Sequence, residues 1–138
     1  MVGAKSLLSS PVYETQAIGC EPGADKFLNA VLEIEYDGDP TELLEELIRI
    51  EGSLGRRRDH TRNVSRTIDI DVLYADNLSV RNSRLQLPHP RIHERRFVLQ
   101  PLSDIRPNLV LPGQTKPVRE VLAELKDSAT VTRFAENW

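Results

Sequence analysis

The sequence predicts a single domain that contains both strands and helices. Its 138 residues fall within the size of one domain and can bury a core without disulfides. Apolar residues recur at every second position within residues 27–36 and 66–74, which is the period of a strand. Within residues 39–55 they recur at helical spacing behind a capping sequence, so an amphipathic helix is predicted between these strands.

Two strands are predicted before this helix. Residues 7–15 are rich in strand formers, and Pro11 places them at a sheet edge or a bulge. Residues 16–26 collect glycine, proline and acidic residues, and they are long enough for a substrate-binding loop instead of a tight turn. Residues 27–36 are the second strand, which alternates from Ala30 onward.

The helix predicted over residues 39–55 has a full start signal. Asp39 is its N-cap, Pro40 occupies the first helical position and Glu42 supplies the acid of a capping box. The apolar residues at helical spacing are Leu43, Leu44, Leu47, Ile48 and Leu54. Gly55 is predicted to stop the helix. Residues 56–65 then lack any apolar period, which predicts a mobile polar loop.

The strand predicted over residues 66–74 alternates strictly. Its two faces are Ile68, Ile70 and Val72 on one side, and Thr67, Asp69 and Asp71 on the other. Residues 85–90 contain two prolines, which hold the backbone extended and exclude helix until after Pro90. Helices are predicted over residues 91–105 and 117–126.

Composition excludes several classes of protein. Apolar residues make up 39% and charged residues 28%, and no apolar run approaches the roughly 20 residues that span a bilayer. The N-terminal residues lack the apolar run of a secretory signal, so we expect a cytoplasmic protein. The single cysteine, Cys20, cannot form an internal disulfide, and we interpret it as a small loop residue.

Positive charge is concentrated in one part of the chain. Residues 49–96 contain eleven arginines, no lysine and six acidic residues, a net charge of +5, whereas the whole chain carries −3. The overall acidity disfavours nonspecific nucleic-acid binding. Planar guanidinium groups suit bidentate phosphate contacts. A solvated surface of balanced ion pairs would have the same composition, and the counts alone do not separate the two.

Asp69 and Asp71 are the candidate catalytic and metal-binding residues. Two residues apart on a strand, they share a face, with Cα atoms roughly 6.5–7 Å apart. Like charges this close are unfavourable without a cation, and hard oxygen ligands favour Mg²⁺, whose other positions accept phosphate and water. An isolated pair of this kind is more often simply solvated. The flanking arginines, with Arg66 directly before the strand, favour a site for Mg²⁺ and a nucleoside triphosphate.

Six stretches of the chain resemble the 6-hydroxymethyl-7,8-dihydropterin pyrophosphokinase family of the folate pathway. They are YET at 13–15, FLNA at 27–30, Glu51 with LGRRR at 54–58, RTIDID at 66–71, LPHPR at 87–91 and ERRFVLQPL at 94–102. Their order and spacing match from about residue 9 to residue 108. The resemblance implies an α+β, ferredoxin-like sandwich with an antiparallel sheet and packed helices. It also implies transfer of pyrophosphate from ATP to 6-hydroxymethyl-7,8-dihydropterin, with release of AMP.

The resemblance also implies roles for particular residues. Asp69 and Asp71 would bind two Mg²⁺ ions that bridge the phosphates of ATP. The implied nucleotide residues are Arg56, Arg58 and Arg66 from the polar loop and its ends, Arg84, His89 and Arg95 at the nucleotide and its phosphates, and Glu51 at the nucleoside. Arg56 and Arg66 would act in catalysis with the two aspartates. The implied pterin pocket consists of Thr15, Phe27, Asn29 and Phe97.

The chemistry of a pterin agrees with these roles. A flat heteroaromatic ring needs aromatic faces and an amide that reads its polar edge, and the chain has only seven aromatic residues. Other interpretations stay open, because Phe27 and Phe97 lie in apolar sequence and could be core residues. His89, which is fixed between two prolines, could likewise be purely structural.

The sequence departs from the family at its beginning. The family starts with a strand carrying Gly-Ser-Asn-x-Gly and then a helix, and neither precedes residues 7–15 here. We expect that loss to leave unpaired ladder groups and an uncovered apolar face. The alternative function is therefore a truncated, non-catalytic relative that binds pterin or nucleotide, or assembles with a partner chain. An RNA-binding module fits less well because the chain is acidic and lacks an aromatic strand platform. The sequence leaves the oligomeric state open.

Overall fold

The computed structural model describes residues 3–15, 27–54, 68–126 and 131–138. Its strands are β1 (Ala4–Ser9), β2 (Val12–Thr15), β3 (Phe27–Asn29), β4 (Leu32–Tyr36), β5 (Val80–Arg81), β6 (Gln86–Leu87) and β7 (Val131–Ala135). Its α-helices are α1 (Pro40–Ser53), α2 (Arg96–Ile105) and α3 (Val118–Glu124), and a 3₁₀ turn spans Ile92–Glu94. None of these helices is long and apolar enough to cross a membrane.

Every strand pairing within the described residues is antiparallel. β1 pairs with β4, β2 lies between β3 and β7, and β5 pairs with β6. Helix α2 packs against α3 on one side and contacts β2, β3 and β7. The predicted α+β class, with antiparallel sheets and packed helices, is confirmed.

Each of the first two predicted strands is broken into two. The segment over residues 7–15 divides at Ser10 and Pro11, and the segment over residues 27–36 divides at Ala30 and Val31. The two breaks face each other, because the Ser10 N–H donates to the Val31 carbonyl at 2.9 Å and the Val31 N–H donates to the Ser10 Oγ at 2.9 Å. Proline has no N–H to donate to a sheet ladder, so the ladder is interrupted at this point. On one side of the break β1 pairs with β4, and on the other side β2 pairs with β3 in a different sheet.

Ser10→Ala is expected to lower the free energy of unfolding by about 1–3 kcal/mol. The Ser10 side chain is 1% exposed, and its loss leaves the N–H of Val31, a residue that is 9% exposed, without this acceptor. Chemical denaturation at 25 °C measures the change. Ser53→Ala is the matched control, since the Ser53 hydroxyl bonds a helix carbonyl at the surface; equal losses for the two variants would contradict the role of Ser10.

The predicted strand over residues 66–74 is wrong in its described part, because residues 68–75 are not assigned to any strand. The predicted alternation of faces nevertheless holds. Residues 68, 70 and 72 are partly buried, whereas Asp69 and Asp71 are exposed. The sequence period therefore predicted the two faces correctly, but a strand also needs a hydrogen-bonded neighbour. Among the residues that the structure describes, this segment forms no ladder with another strand.

Helix α1 begins as predicted. The Asp39 side chain caps it by accepting the N–H of Thr41 at 2.8 Å, and Pro40 is the first helical residue. The apolar residues at helical spacing are only partly buried or exposed, and Leu54 is 50% exposed. The buried residue of the helix is instead Glu51.

The described core lies between α2, α3 and the loops that join them. The predicted helix over residues 91–105 divides into the 3₁₀ turn and α2, and the helix over 117–126 is the shorter α3. The buried cluster consists of Val31, Ile92, Leu99, Leu102, Leu111 and Val118. This core supports the N-terminal end of α2, where Arg95 and Phe97 lie.

Tyr74 connects the segment at residues 68–75 to β4 and the end of α2. Its hydroxyl donates to Glu33 at 3.4 Å, and Glu33 also forms an ion pair with Arg106 at 2.7 Å. Burial, followed by the Glu33 carboxylate, raises the pKa of Tyr74 to about 12. An unfolded tyrosine has a pKa near 10, so the unfolded state loses this proton at lower pH than the folded state does.

The free energy of unfolding is therefore expected to fall as the pH rises through about 10 to 12. Below about pH 10 the contribution of Tyr74 to stability is fully present and does not change with pH. Tyr74→Phe should give a flatter decline over that window, as measured by chemical denaturation at several alkaline pH values. Parallel declines in the wild type and in Tyr74→Phe would contradict the assignment of the proton to Tyr74.

Candidate active site

The two candidate acids lie on one exposed side of the segment at residues 68–75. Asp69 and Asp71 are exposed, and Ile70 between them is partly buried. The segment thus turns its apolar side chains inward and leaves both aspartates exposed.

The main chain of residues 68–75, which we call the acidic segment, contacts a buried carboxylate. Glu51, which is 4% exposed, lies in the last turn of α1, and its Oε2 accepts the N–H of Ile70 at 2.8 Å. Glu51 was predicted to lie at the nucleoside, and that role stays a prediction. In the structure its carboxylate joins α1 to the peptide unit between Asp69 and Ile70.

A cavity of about 210 Å³ opens beside the acidic segment. Its walls come from α1, the acidic segment and the β5–β6 hairpin with the residues that follow it: Leu44, Ile70, Asp71, Val72, Arg84, Leu85, Gln86, His89 and Pro90. The structure therefore brings together three of the predicted residues, Asp71, Arg84 and His89. A carboxylate, a guanidinium and an imidazole around one opening can accommodate a metal and phosphate groups together.

Arg84 and His89 are oriented by local contacts. Arg84 lies at the surface, where its Nη1 is 3.2 Å from the Glu45 Oε1. His89 donates its backbone N–H to the Leu73 carbonyl at 2.7 Å, and its Nδ1 accepts the N–H of Arg91 at 3.2 Å. An imidazole that accepts at Nδ1 carries its hydrogen on Nε2 when it is neutral. His89 can therefore donate from Nε2 to a phosphate oxygen.

A larger cavity of about 540 Å³ lies next to the first and shares Gln86, His89 and Pro90 with it. It is lined further by Arg81 and His93, but neither aspartate reaches it. We place the candidate active site at the smaller cavity, because Asp71 lines it.

The predicted pterin residues lie on β2, β3 and α2. Thr15 is 7% exposed and lies directly opposite Phe27 in the antiparallel pair. The Asn29 Nδ2 donates to the Thr15 Oγ1 at 3.4 Å, and Phe27 is 58% exposed. Phe97 is partly buried in the first turn of α2, which packs against β3. Phe27 is therefore not a core residue within the described structure.

Arg95 lies over the ring of Phe97, with its Cζ 5.5 Å from the ring centroid. This distance is within the range of a cation–π contact. Arg95, predicted at the nucleotide, and Phe97, predicted at the pterin, are thus in direct contact.

Several predicted residues lie outside the described ranges. They are Arg56, Arg58 and Arg66, together with Cys20 and the predicted loops over residues 16–26 and 56–65. Their predicted roles stay predictions.

The sequence did not single out Gln86, Leu44 and Val72 as cavity residues. Leu44 belongs to the apolar pattern of α1, which predicted burial, and Val72 belongs to the apolar face of the acidic segment. Both residues line the cavity, and both are only partly buried. Gln86 gave no signal of its own, since it is a polar residue in a short strand of the β5–β6 hairpin.

Comparison with known proteins identifies the family of this chain. A family model described as 7,8-dihydro-6-hydroxymethylpterin-pyrophosphokinase matches residues 2–107. A 2-amino-4-hydroxy-6-hydroxymethyldihydropteridine pyrophosphokinase of Methylorubrum extorquens is 44% identical over 126 residues, covering 91% of this chain and 77% of the relative. The enzyme of the same name from Haemophilus influenzae is 38% identical over 119 residues, covering 86% and 72%. A folic acid synthesis protein of Dictyostelium discoideum is 42% identical over 104 residues, which is 75% of this chain and 15% of that protein. The chain therefore belongs to the 7,8-dihydro-6-hydroxymethylpterin-pyrophosphokinase family.

Proposed function

We propose that this chain transfers pyrophosphate from ATP to 6-hydroxymethyl-7,8-dihydropterin and releases AMP, as a step of folate biosynthesis. In this reaction the pterin hydroxyl oxygen forms a bond to the β-phosphorus of ATP. The bond between that phosphorus and the oxygen of the α-phosphate breaks, and the hydroxyl proton is released. The observation that carries the proposal is the cavity that gathers Asp71, Arg84 and His89 in a member of this family.

Asp69 and Asp71 would hold Mg²⁺ in the proposed complex with ATP. The described residues contain no group of three or more histidine, cysteine, aspartate or glutamate side chains placed to hold a metal alone. The two aspartates fit Mg²⁺, which commonly takes one or two carboxylates and completes its shell with phosphate and water. When bound, Mg²⁺ supplies neutralisation of the phosphate charge.

The remaining charge on the triphosphate would be met by cationic and donor side chains. Arg84 and His89 lie at the cavity, and Arg95 lies at the beginning of α2. We propose that Arg56, Arg58 and Arg66 add to this set. Positioning and charge neutralisation are the main tasks of the protein in phosphoryl transfer.

The pterin would bind between β3 and the first turn of α2. Phe27 offers an exposed ring, Phe97 a partly buried one, and Asn29 an amide for the polar edge. Thr15 is buried and contacts Asn29, so it holds the amide in place.

The proposal is tested by incubating the protein with ATP, Mg²⁺ and 6-hydroxymethyl-7,8-dihydropterin and separating the nucleotide products. We expect AMP that forms only when the pterin is present. Binding of both substrates without AMP at high protein concentration would contradict the proposal and would support the non-catalytic alternative. ADP as the nucleotide product would contradict transfer of an intact pyrophosphate.

A further inference from the structure

We propose that Glu51 is a positioning residue for the acidic pair, because its buried carboxylate fixes the peptide unit between Asp69 and Ile70. This inference rests on the proposed function, since it assigns Glu51 to the metal-holding segment of that site. It differs from a contact with the nucleoside, because here the carboxylate binds the protein's own main chain.

Glu51 is buried near the end of α1. A carboxylate that is 4% exposed is costly to bury unless hydrogen bonds compensate for its lost hydration. The N–H of Ile70 at 2.8 Å is such a partner, and hydrogen bonds to an ionised acceptor are stronger than neutral ones. Glu51 is also the buried residue of a helix whose apolar side chains are only partly covered. The helix therefore places an acid where packing alone would favour an apolar residue.

Glu51 binds the main chain at the residue between the two aspartates. Ile70 is the single residue between Asp69 and Asp71, and its N–H belongs to the peptide unit that follows Asp69. Fixing that unit limits the ψ rotation of Asp69 and the φ rotation of Ile70. Both rotations lie between the two aspartates, so the bond limits the direction of one carboxylate relative to the other. A group that orients metal ligands without touching the metal is commonly worth about 10–100-fold in metal affinity or activity.

No described strand supports the acidic segment. Residues 68–75 pair with no strand among those described, so no described ladder fixes their main chain. The contacts that do hold the segment include the Leu73 carbonyl with the N–H of His89, and the Tyr74 hydroxyl with Glu33. Both lie beyond Asp71. The contact with Glu51 lies between the two aspartates.

The test compares Glu51→Ala and Glu51→Gln with Glu46→Ala, a control on the same helix whose side chain pairs at the surface with Arg49. Amide hydrogen exchange of Ile70 is measured by NMR without metal or substrate. We expect exchange at least about tenfold faster in Glu51→Ala than in the wild type, and unchanged in Glu46→Ala. The exchange rate in Glu51→Gln, which keeps an acceptor oxygen, should lie between the rates in Glu51→Ala and Glu46→Ala. Glu51→Gln also keeps the test valid if Glu51→Ala does not fold.

Mn²⁺ binding in the presence of a non-hydrolysable ATP analogue is the second readout. We expect affinity to fall by about 10–100-fold in Glu51→Ala and by less in Glu51→Gln. Mn²⁺ affinity within about threefold of the wild type in both variants, despite faster exchange at Ile70, would overturn the proposal and leave Glu51 a structural residue. A loss of affinity for the free analogue without any loss of Mn²⁺ affinity would also overturn it, in favour of a nucleoside contact.

Neither readout requires turnover. If the wild type formed no AMP but Glu51→Ala still lost Mn²⁺ affinity and Ile70 protection, the positioning role would stand and the proposed function would fail. If AMP formed but the variant kept both properties, the proposed function would stand and the positioning role would fail.

Discussion

Asp71→Asn is expected to lower the rate of pyrophosphate transfer by roughly 10²–10³-fold at saturating substrates, while pterin affinity stays within about twofold. The substitution keeps the size of the side chain but removes the charge that would hold Mg²⁺ beside the phosphates. Asp71 lines the cavity, whereas the predicted pterin residues lie on other elements, so pterin binding should be preserved. Steady-state turnover and pterin binding by calorimetry measure the two quantities.

Asp76→Asn is the matched control for this substitution. Asp76 is exposed in a turn five residues further along, and its φ of 47° suits asparagine. It changes the net charge equally but should leave turnover unchanged. Equal loss of turnover and of pterin affinity in Asp71→Asn would contradict the role of Asp71.

Leu99→Ala is expected to lower the free energy of unfolding by about 2–5 kcal/mol. Leu99 is fully buried in α2, within the cluster that includes Leu102 and Val118. Removing its side chain loses transfer free energy and leaves a cavity that the neighbours can fill only in part. Equilibrium denaturation in urea at 25 °C measures the change.

Val110→Ala is the comparison for Leu99→Ala, since Val110 is 44% exposed and should change stability by less than about 0.5 kcal/mol. A loss of under about 1 kcal/mol for Leu99→Ala would show that α2 is not packed as described.

The elements that could be predicted best from sequence are those with local signals. Asp39 and Pro40 specify the beginning of α1 through contacts within three residues, and the structure has the same cap. The two faces of residues 68–72 were predicted from their period, and their burial alternates accordingly. Periodicity reports the side that a residue faces, but it does not report a strand's neighbour. Strand pairing depends on partners far along the chain, so local periodicity predicted neither the break at Ser10 nor that residues 68–75 pair with no strand among the described residues.

The candidate site, like the fold, could be predicted where its signal is local in sequence and not where it depends on distant residues. The acidic pair was predicted from its spacing, and the arginines around it favoured phosphate binding. The contact between Glu51 and Ile70 joins α1 to a segment 19 positions away and has no local signal. Without the family resemblance, the aspartates and arginines predicted only a generic site for Mg²⁺ and a nucleotide. The choice of a pterin as the acceptor came from the resemblance of six stretches to one family, and the match over residues 2–107 supports the same family.

The most direct test of the account follows the β-phosphorus of ATP. ATP carrying a radioactive label at the β-phosphorus is incubated with the protein, Mg²⁺ and 6-hydroxymethyl-7,8-dihydropterin, and the pterin product is isolated. We predict that the β-label appears in the pterin product and that unlabelled AMP forms in equal amount. A β-label that stays in ADP, or a pterin that remains unlabelled, would contradict pyrophosphate transfer by this chain.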